Sequence, residues 1–464
     1  MLGIMFMLCS DVVCLGAENQ KNASRILSLN VGGPAREFVE TPPFTEIEGL
    51  HNVKISVRFR PDAGFDDVLL FSVINGGTIT SATLDGKTIP DNLIEYIVNS
   101  ANLRLTKDML PRPSSKAKQH KWHKLELNVR NASNSSCLKL AGVSADSSNH
   151  GFFVDSIEVT DMGEVQRSTL RVLYWNIQNG MWTDQPNGYK NFIAWVKTYD
   201  PDVCVWCEAA SIYKDYSTVS APEAERYLPN GWPEIAKKYG HEYSALGGHR
   251  DNFPQEITSK YPITTLLKIT DTDQAGKPVS HGAAIQQLDV NGRKINIVTL
   301  HMWPQAYGFG VPKAEQDASK ANNEGDKYRE FEMKYIVDHT VNAPEYASHT
   351  DWLMMGDFNS RSMVDEWYYK YADTKPTYYL CQNVIKDNTS LVDIIGNFYP
   401  GCFVSTTGGK ARIDYMYASA SMYSKVKNAI TIIDTYTVPV KDAKYNSGFY
   451  FPSDHRPILV DFEL

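Results

Sequence analysis

The sequence is poor in the features that would mark several classes of protein. Only 7 of its 464 residues are cysteine, too few for a disulfide scaffold. No internal apolar run approaches the ~20 residues that a membrane-spanning helix needs. The formal net charge is −8, and without clustered Lys and Arg a broad nucleic-acid-binding surface is disfavoured. A nuclease stays open, because a bound divalent metal supplies positive charge locally.

Sufficient apolar material is present for sizeable cores, since 42% of the residues are hydrophobic and 22% are charged. Cys204 and Cys207 share a strand-like run in which residues three apart face opposite sides. This favours buried, unreactive thiols over a metal-binding or redox pair. Cys381 and Cys402 could form a disulfide in an exported protein, and the sequence leaves that open.

Residues 1–17 form an apolar stretch that ends in small residues, which is typical of a secretory signal peptide. Asp11 interrupts the stretch and no Lys or Arg precedes it, so an N-terminal strand or tail is the alternative. We expect a secreted, periplasmic or cell-surface protein with no transmembrane segment in the mature chain. A polar linker at 18–37 follows.

Residues 38–162 read as a series of short β-rich runs separated by turn clusters such as Asn75-Gly76-Gly77. This spacing predicts an all-β antiparallel sandwich, and the run from Phe152 to Val159 resembles the last strand of jelly-roll modules. Such a jelly-roll-like module would contact a glycan or a cell surface, or act as a spacer.

From 168 to 464 predicted strands alternate with helices, which is the pattern of an α/β layered fold. Strands are predicted at Leu170–Trp175 and Val203–Cys207, and a helix at Tyr189–Tyr199. A hairpin is predicted around Asn291-Gly292, followed by a helix at Asp326–His339.

A further strand begins at Trp352, where four apolar residues stop at Gly356-Asp357-Phe358-Asn359. Gly356 is expected to let the backbone turn, so that Asp357 and Asn359 point the same way at the carboxyl end of the strand. Open α/β sheets bind their ligands at that end.

Six predicted strand ends finish in a polar residue that could bind a ligand. Each alone is more often a turn or capping residue. Together they supply oxygen donors and two imidazoles with almost no thiols, which suits Mg²⁺ and, as alternatives, Mn²⁺ or Ca²⁺. The residues are Asn176, Glu208, His301, Asp357 with Asn359, Asp414, and Asp454 with His455.

The residues of these motifs and their order in the chain resemble those of the endonuclease/exonuclease/phosphatase superfamily, which includes the deoxyribonuclease I-like phosphoesterases. The matching motifs are Trp175-Asn176-Ile177, Glu208, Thr299-Leu300-His301, Gly356-Asp357-Phe358-Asn359, Arg412-Ile413-Asp414-Tyr415 and Ser453-Asp454-His455-Arg456-Pro457. The resemblance implies an α/β (α+β) four-layer sandwich, two packed mixed β-sheets flanked by helices. One departure is Cys207, where many members have Gln.

The resemblance also implies roles. Glu208, with Asn176 and Asp454, would hold Mg²⁺ on a phosphate oxygen and neutralise developing charge. His455, oriented by Asp414, would activate the attacking water as a general base.

Asp357 and Asn359 would position the water and the phosphate. His301 would donate to a non-bridging oxygen or protonate the leaving group, and the sequence leaves both roles open. A weaker prediction places three residues on the phosphate: Arg250, Lys260 and His281.

The sequence does not select one phosphate-ester substrate among nucleic acid, phospholipid and small phosphodiesters, nor diester over monoester. Trp303, Tyr307 and Phe309 could stack on bases, enter a lipid interface or pack the insertion that contains them. Non-specific deoxyribonucleases and sphingomyelinase-type hydrolases are therefore alternatives. From another class, a non-catalytic surface- or glycan-binding protein with a degenerate phosphoesterase fold also stays open.

Overall fold

The computed structural model describes residues 24–30, 38–62, 65, 68–97, 100–110, 120–143, 152–165, 169–211, 231–249, 253–372, 378–408, 411–441 and 450–464. The predicted signal peptide at 1–17 and Arg250 lie outside these residues. The chain divides into two compact units, Met1–Val165 and Gln166–Leu464. No helix within the described ranges combines the length and apolar character that crossing a bilayer demands.

The first unit contains two antiparallel sheets, in the orders β1-β11-β3-β9-β5-β6 and β2-β10-β4-β8-β7. Inward residues alternate along β3, and the Phe59 ring meets Phe71 of the other sheet at 5.0 Å. This confirms the predicted all-β sandwich. The strands are β1 Ser24–Asn30, β2 Phe38–Glu40, β3 His51–Pro61, β4 Val68–Ile74, β5 Thr78–Leu84, β6 Lys87–Thr88, β7 Ile94–Ile97, β8 Ser100–Thr106, β9 His123–Ala132, β10 Cys137–Val143 and β11 Phe152–Glu164.

Strand β1 corrects part of the sequence analysis, which placed 18–37 in a linker. Ser24–Asn30 pairs antiparallel with β11, from Ser24 opposite Asp161 to Asn30 opposite Ser156. The partner strand lies more than a hundred residues further along the chain, so no local pattern indicates the pairing.

The second unit contains two six-stranded mixed sheets, β14-β15-β13-β12-β25-β22 and β16-β17-β18-β19-β21-β20, and a two-stranded sheet, β23-β24. In the first, β12 and β13 are parallel; in the second, β18 and β19 are parallel. The strands are β12 Leu170–Asn176, β13 Val203–Cys207, β14 Tyr243–Leu246, β15 Glu256–Ser259, β16 Ile263–Ile269, β17 Ala283–Val290, β18 Arg293–His301, β19 Trp352–Asp357, β20 Val392–Asp393, β21 Asp414–Ala418, β22 Val426–Thr431, β23 Val440–Lys441, β24 Tyr450–Phe451 and β25 Ile458–Phe462.

Helices cover the outer faces of both large sheets. Phe192 of α2 meets Trp206 of β13 at 5.1 Å, while α5 and α7 share a buried cluster with β18 and β19. The predicted four-layer sandwich is therefore confirmed. The helices are α1 Gln178–Met181, α2 Lys190–Tyr199, α3 Gly231–Lys238, α4 Gln316–Ala321, α5 Glu324–His339, α6 Glu366–Ala372, α7 Leu380–Asn388, α8 Ile394–Phe398 and α9 Ala420–Tyr423.

Gly356 has a different role from the one predicted. It lies inside β19, opposite Leu300 of β18, and a Cβ at this position would stand 2.1 Å from the Leu300 carbonyl oxygen. The glycine therefore permits close approach of two parallel strands. The backbone turns later, at Asn359, whose φ is 47°.

No disulfide joins Cys381 and Cys402. Cys204 and Cys207 are buried on β13, and burial raises the pKa of both thiols well above 9. They are inert strand residues, as predicted.

Arg412 supports the start of β21 from a buried position. Its Nε donates to Asp365 at 2.7 Å and its Nη1 donates to Asp393 at 3.0 Å. Removing the guanidinium would leave two buried carboxylates without their counter-charge, which is more damaging than removing an exposed pair.

We expect Arg412→Met to lower the free energy of unfolding by about 3–5 kcal/mol. Lys427→Met, which removes an exposed pair with Glu463, is the control and should lower it by about 1 kcal/mol or less. Urea unfolding followed by tryptophan fluorescence measures both, since eight of the nine tryptophans lie in the second unit. Equal losses in the two variants would contradict this account.

Candidate active site

Parallel pairing brings four of the predicted strand ends to one edge. Asn176 of β12 stands opposite Cys207 of β13, so Glu208 follows beside it. In the other sheet His301 of β18 stands opposite Asp357 of β19. Because β12 and β13 pack against β18 and β19, the two edges meet.

Antiparallel neighbours add the remaining groups to the same edge. Asp414 opens β21 opposite Asp357, and the loop containing His455 leads into β25, which pairs with β12. Ser453 ties that loop down, because its Oγ donates to the Asn176 carbonyl oxygen at 2.7 Å and accepts from the His455 backbone N–H at 3.1 Å.

A carboxylate and an imidazole form the most tightly bonded pair of the site. His455 Nδ1 donates to Asp414 Oδ2 at 2.8 Å, and Tyr174 Oη donates to Asp414 Oδ1 at 2.8 Å. His455 Nε2 stands 3.7 Å from Asp357 Oδ2 and 3.8 Å from Asp454 Oδ1. Burial alone would lower the pKa of His455, but the carboxylates, Asp414 foremost, outweigh it and raise that pKa well above 6.5.

Asn176 and Glu208 form a second polar group. The Asn176 side-chain amide donates to Glu208 Oε1 at 3.2 Å and to Asp357 Oδ2 at 3.1 Å. Glu208 has a left-handed φ of 55°, and its Oε2 accepts from the Asn179 backbone N–H at 3.1 Å. These bonds fix the direction of the carboxylates.

The charge at this edge is strongly negative. Burial, then Asp414, raises the pKa of Asp357 to about 7, and burial, then Asp454, raises the pKa of Glu208. Within the described ranges no Lys or Arg forms an ion pair with Glu208, Asp357 or Asp414. A bound divalent cation would supply the missing positive charge.

The donor chemistry fits such a cation. Ligand atoms of Asp357, Asp414 and His455 lie within 4.8 Å of one another, so this group could hold a metal. Glu208 adds carboxylate oxygens, which hard cations prefer. The Asn176 Oδ1 accepts from the Gln178 backbone N–H at 3.1 Å, so the amide presents its N–H group to the carboxylates.

His301 is buried beside this group, with Nε2 3.7 Å from Asp357 Oδ2. Its ring centroid is 4.4 Å from that of His281. Burial, then His281 and His455, lowers the pKa of His301 well below 6.5, which favours the neutral imidazole. Asn359 lies at the rim; its backbone N–H donates to Asp357 Oδ1 at 2.9 Å and its side chain donates to the Met302 carbonyl oxygen.

The three predicted phosphate contacts have different outcomes. His281 is placed at the site, and Arg250 lies outside the described residues. Lys260 is not at the site, contrary to the prediction: its Nζ is 2.6 Å from Asp200 and 3.3 Å from Asp202. Strand β15 runs antiparallel to β13, so Lys260 lies at the opposite edge from Glu208.

Three residues of the site had no predicted role: Tyr174, Ser453 and Glu332. The Glu332 carboxylate accepts from the Ser280 backbone N–H at 2.7 Å, from the Ser280 hydroxyl at 2.6 Å and from the Trp303 backbone N–H at 3.1 Å. It therefore holds both the segment before His281 and the segment after His301. The sequence feature that could have indicated the role of Glu332 is an acidic residue on the apolar stripe of α5, four residues before the buried Ile336.

Two packed mixed sheets that present carboxylates, an amide and two histidines at one edge define a metal-dependent phosphoesterase architecture. The profile of the endonuclease/exonuclease/phosphatase family matches residues 173–455, and the chain belongs to this family. Its members are metal-dependent hydrolases of phosphoester bonds.

No curated protein matches the chain significantly. Similar solved structures include a 3′ phosphatase from Neisseria bound to product DNA hairpin, 15% identical, covering 64% of this chain and 100% of that chain, with a TM-score of 0.40. An AP endonuclease from Archaeoglobus fulgidus is 14% identical, with coverage of 64% and 100% and a TM-score of 0.40. The human Nocturnin catalytic domain with bound sulfate anion is 12% identical, with coverage of 63% and 93% and a TM-score of 0.37.

The raised pKa of Asp357 predicts a pH-dependent stability in EDTA. An acid whose folded pKa lies above its unfolded value favours folding only while protonated. The free energy of unfolding of wild type minus that of Asp357→Asn should therefore fall as pH rises from 3.8 to about 7.

Asp289→Asn is the control of opposite sign, because a hydrogen bond from Lys294 lowers the pKa of Asp289. The free energy of unfolding of wild type minus that of Asp289→Asn should rise as pH rises to about 4. Urea unfolding at several pH values measures both differences. The same direction of change for both variants would refute the assignment.

Proposed function

We propose that this chain is an exported Mg²⁺-dependent phosphodiesterase that uses a water activated by His455 for in-line attack on phosphorus. The observation that carries the proposal is the 2.8 Å bond from His455 Nδ1 to Asp414, which leaves Nε2 directed at the carboxylate edge. Export is proposed from the apolar character of residues 1–17 alone.

The ligand chemistry favours an oxygen-preferring ion. We assign the cation to Glu208 and Asp454, joined by Asn176 Oδ1 once its side-chain amide rotates, and not to the Asp357, Asp414 and His455 group, because His455 must keep Nε2 for the attacking water. A cation held there would neutralise charge on a phosphate oxygen and counter the carboxylates that raise the pKa of His455. Mg²⁺ is the ion proposed, with Mn²⁺ and Ca²⁺ as alternatives, because the set contains oxygen donors and no thiolate.

The protein side chains divide the remaining work. His455 Nε2 accepts the proton of the attacking water, while Asp414 holds the Nδ1–H tautomer and stabilises the imidazolium that forms. Neutral His301 donates a hydrogen bond to a non-bridging phosphate oxygen. Asp357, 3.7 Å from Nε2 of both histidines, and Asn359 position the water and the phosphate.

The test uses hydrolysis of bis-p-nitrophenyl phosphate, with Mg²⁺ and with EDTA. We expect His455→Ala to lower kcat by roughly 10²–10⁴-fold, the usual contribution of a positioned general base. Glu208→Gln should weaken Mg²⁺ binding, so that a higher Mg²⁺ concentration is needed for half-maximal turnover, and should lower turnover. Lys260→Ala is the matched control and should retain wild-type turnover, because Lys260 pairs with Asp200 at the far edge.

Turnover that persists in EDTA or in His455→Ala would overturn the proposed mechanism. Faster turnover of p-nitrophenyl phosphate than of the diester would change the assignment to a phosphomonoesterase. No Mg²⁺-dependent turnover of either ester, of plasmid DNA or of sphingomyelin would leave a non-catalytic binding protein, with a glycan or cell surface as the ligand of the sandwich unit.

A further inference from the structure

A continuous set of aromatic rings leads from the catalytic edge to the protein surface. The His281 ring is 4.4 Å from His301 and 6.5 Å from Trp303. Trp303 meets Phe309 at 5.1 Å and Tyr307 at 6.0 Å. We call the rings of His281, Trp303, Tyr307 and Phe309 the aromatic row.

Trp303 is held in place at each of its polar groups. Its backbone N–H donates to Glu332 at 3.1 Å, its indole N–H donates to the Tyr307 carbonyl oxygen at 2.6 Å, and its carbonyl accepts from Arg329 at 2.9 Å. Glu332 and Arg329 are buried charged residues of α5. A ring fixed before a ligand arrives loses little conformational entropy when the ligand stacks on it.

The exposed part of the row matches a small planar group better than a membrane. Phe309 is 36% exposed, while Trp303 and Tyr307 are half-buried. Tyr328 stacks on Phe309 at 5.3 Å and covers part of that ring, so the exposed apolar area is small, whereas binding at a lipid interface requires a broad apolar face. The Lys320 ammonium lies 5.9 Å from the centre of the Tyr307 ring and pairs with Asp317 at 3.0 Å, so the charge beside the row is balanced.

We propose that the aromatic row is a subsite for a nucleobase whose nucleotide carries the scissile phosphate. This inference rests on the proposed phosphodiesterase function and names its substrate class. Every base has a flat π-face, so stacking gives affinity without sequence preference. A single-base subsite needs no broad basic surface, in agreement with the net charge of −8.

The test compares thymidine 5′-(p-nitrophenyl phosphate) with methyl p-nitrophenyl phosphate, two diesters that share a leaving group and differ in the base. Phe309→Ala should lower the ratio of kcat/KM for the thymidine ester to that for the methyl ester by about fivefold or more. Phe309→Tyr should restore the ratio. Tyr243→Ala, which removes an exposed aromatic ring at the edge opposite Glu208, should leave it unchanged.

Binding of thymidine 5′-monophosphate, measured by calorimetry, provides a readout that does not need turnover. Its Kd should increase about fivefold or more in Phe309→Ala and stay unchanged in Tyr243→Ala. If wild type hydrolyses neither ester, the proposed function fails and this affinity alone decides the inference.

An unchanged ratio together with an unchanged Kd in Phe309→Ala would overturn the nucleobase subsite. So would equal losses in Phe309→Ala and Tyr243→Ala. A loss of binding to sphingomyelin vesicles in Phe309→Ala, with the ratio intact, would assign the row to a lipid surface instead.

Discussion

Carboxylates crowded at one buried edge are the constraint on which the catalytic unit depends. Glu208, Asp357 and Asp414 repel one another, and hydrogen bonds from Asn176 and Tyr174 partly offset that repulsion. The rigid strand ends hold the carboxylates together against the remaining repulsion, because a carboxylate on a paired strand cannot move away. Burial, and then Asp414, raises the pKa of Asp357 to about 7, and a bound divalent cation would offset the repulsion among these carboxylates.

The same strands that build the core also orient the site. Along β12, Trp175 faces α2, where it meets Trp195 at 4.9 Å, whereas Tyr174 and Asn176 face the other sheet and bond to its carboxylates. A one-residue slip in register would send Trp175 to the site and Asn176 to the helices. Packing of the large aromatic residues therefore fixes the register that catalysis needs.

Much of the site could be predicted from local sequence, because a polar residue after an apolar run marks a strand end and parallel strands end at one edge. The predictions that failed, and the role that was not predicted, depend on partners distant in the chain. The predicted position of Lys260 was wrong because the sequence does not show that β15 runs antiparallel. The predicted role of Gly356 was wrong because its constraint is the Leu300 carbonyl oxygen of another strand. The role of Glu332 depends on Ser280, 52 residues away.

Helix α5 supports both the segment that contains His301 and the aromatic row. One carboxylate, Glu332, accepts from Ser280, next to His281, and from Trp303, which follows His301 closely. Any shift of α5 would therefore move His301 and the aromatic row together. Under the proposed function, a substrate that displaces Trp303 would also disturb His301 because the support is shared, and discrimination among esters would then affect kcat as well as KM.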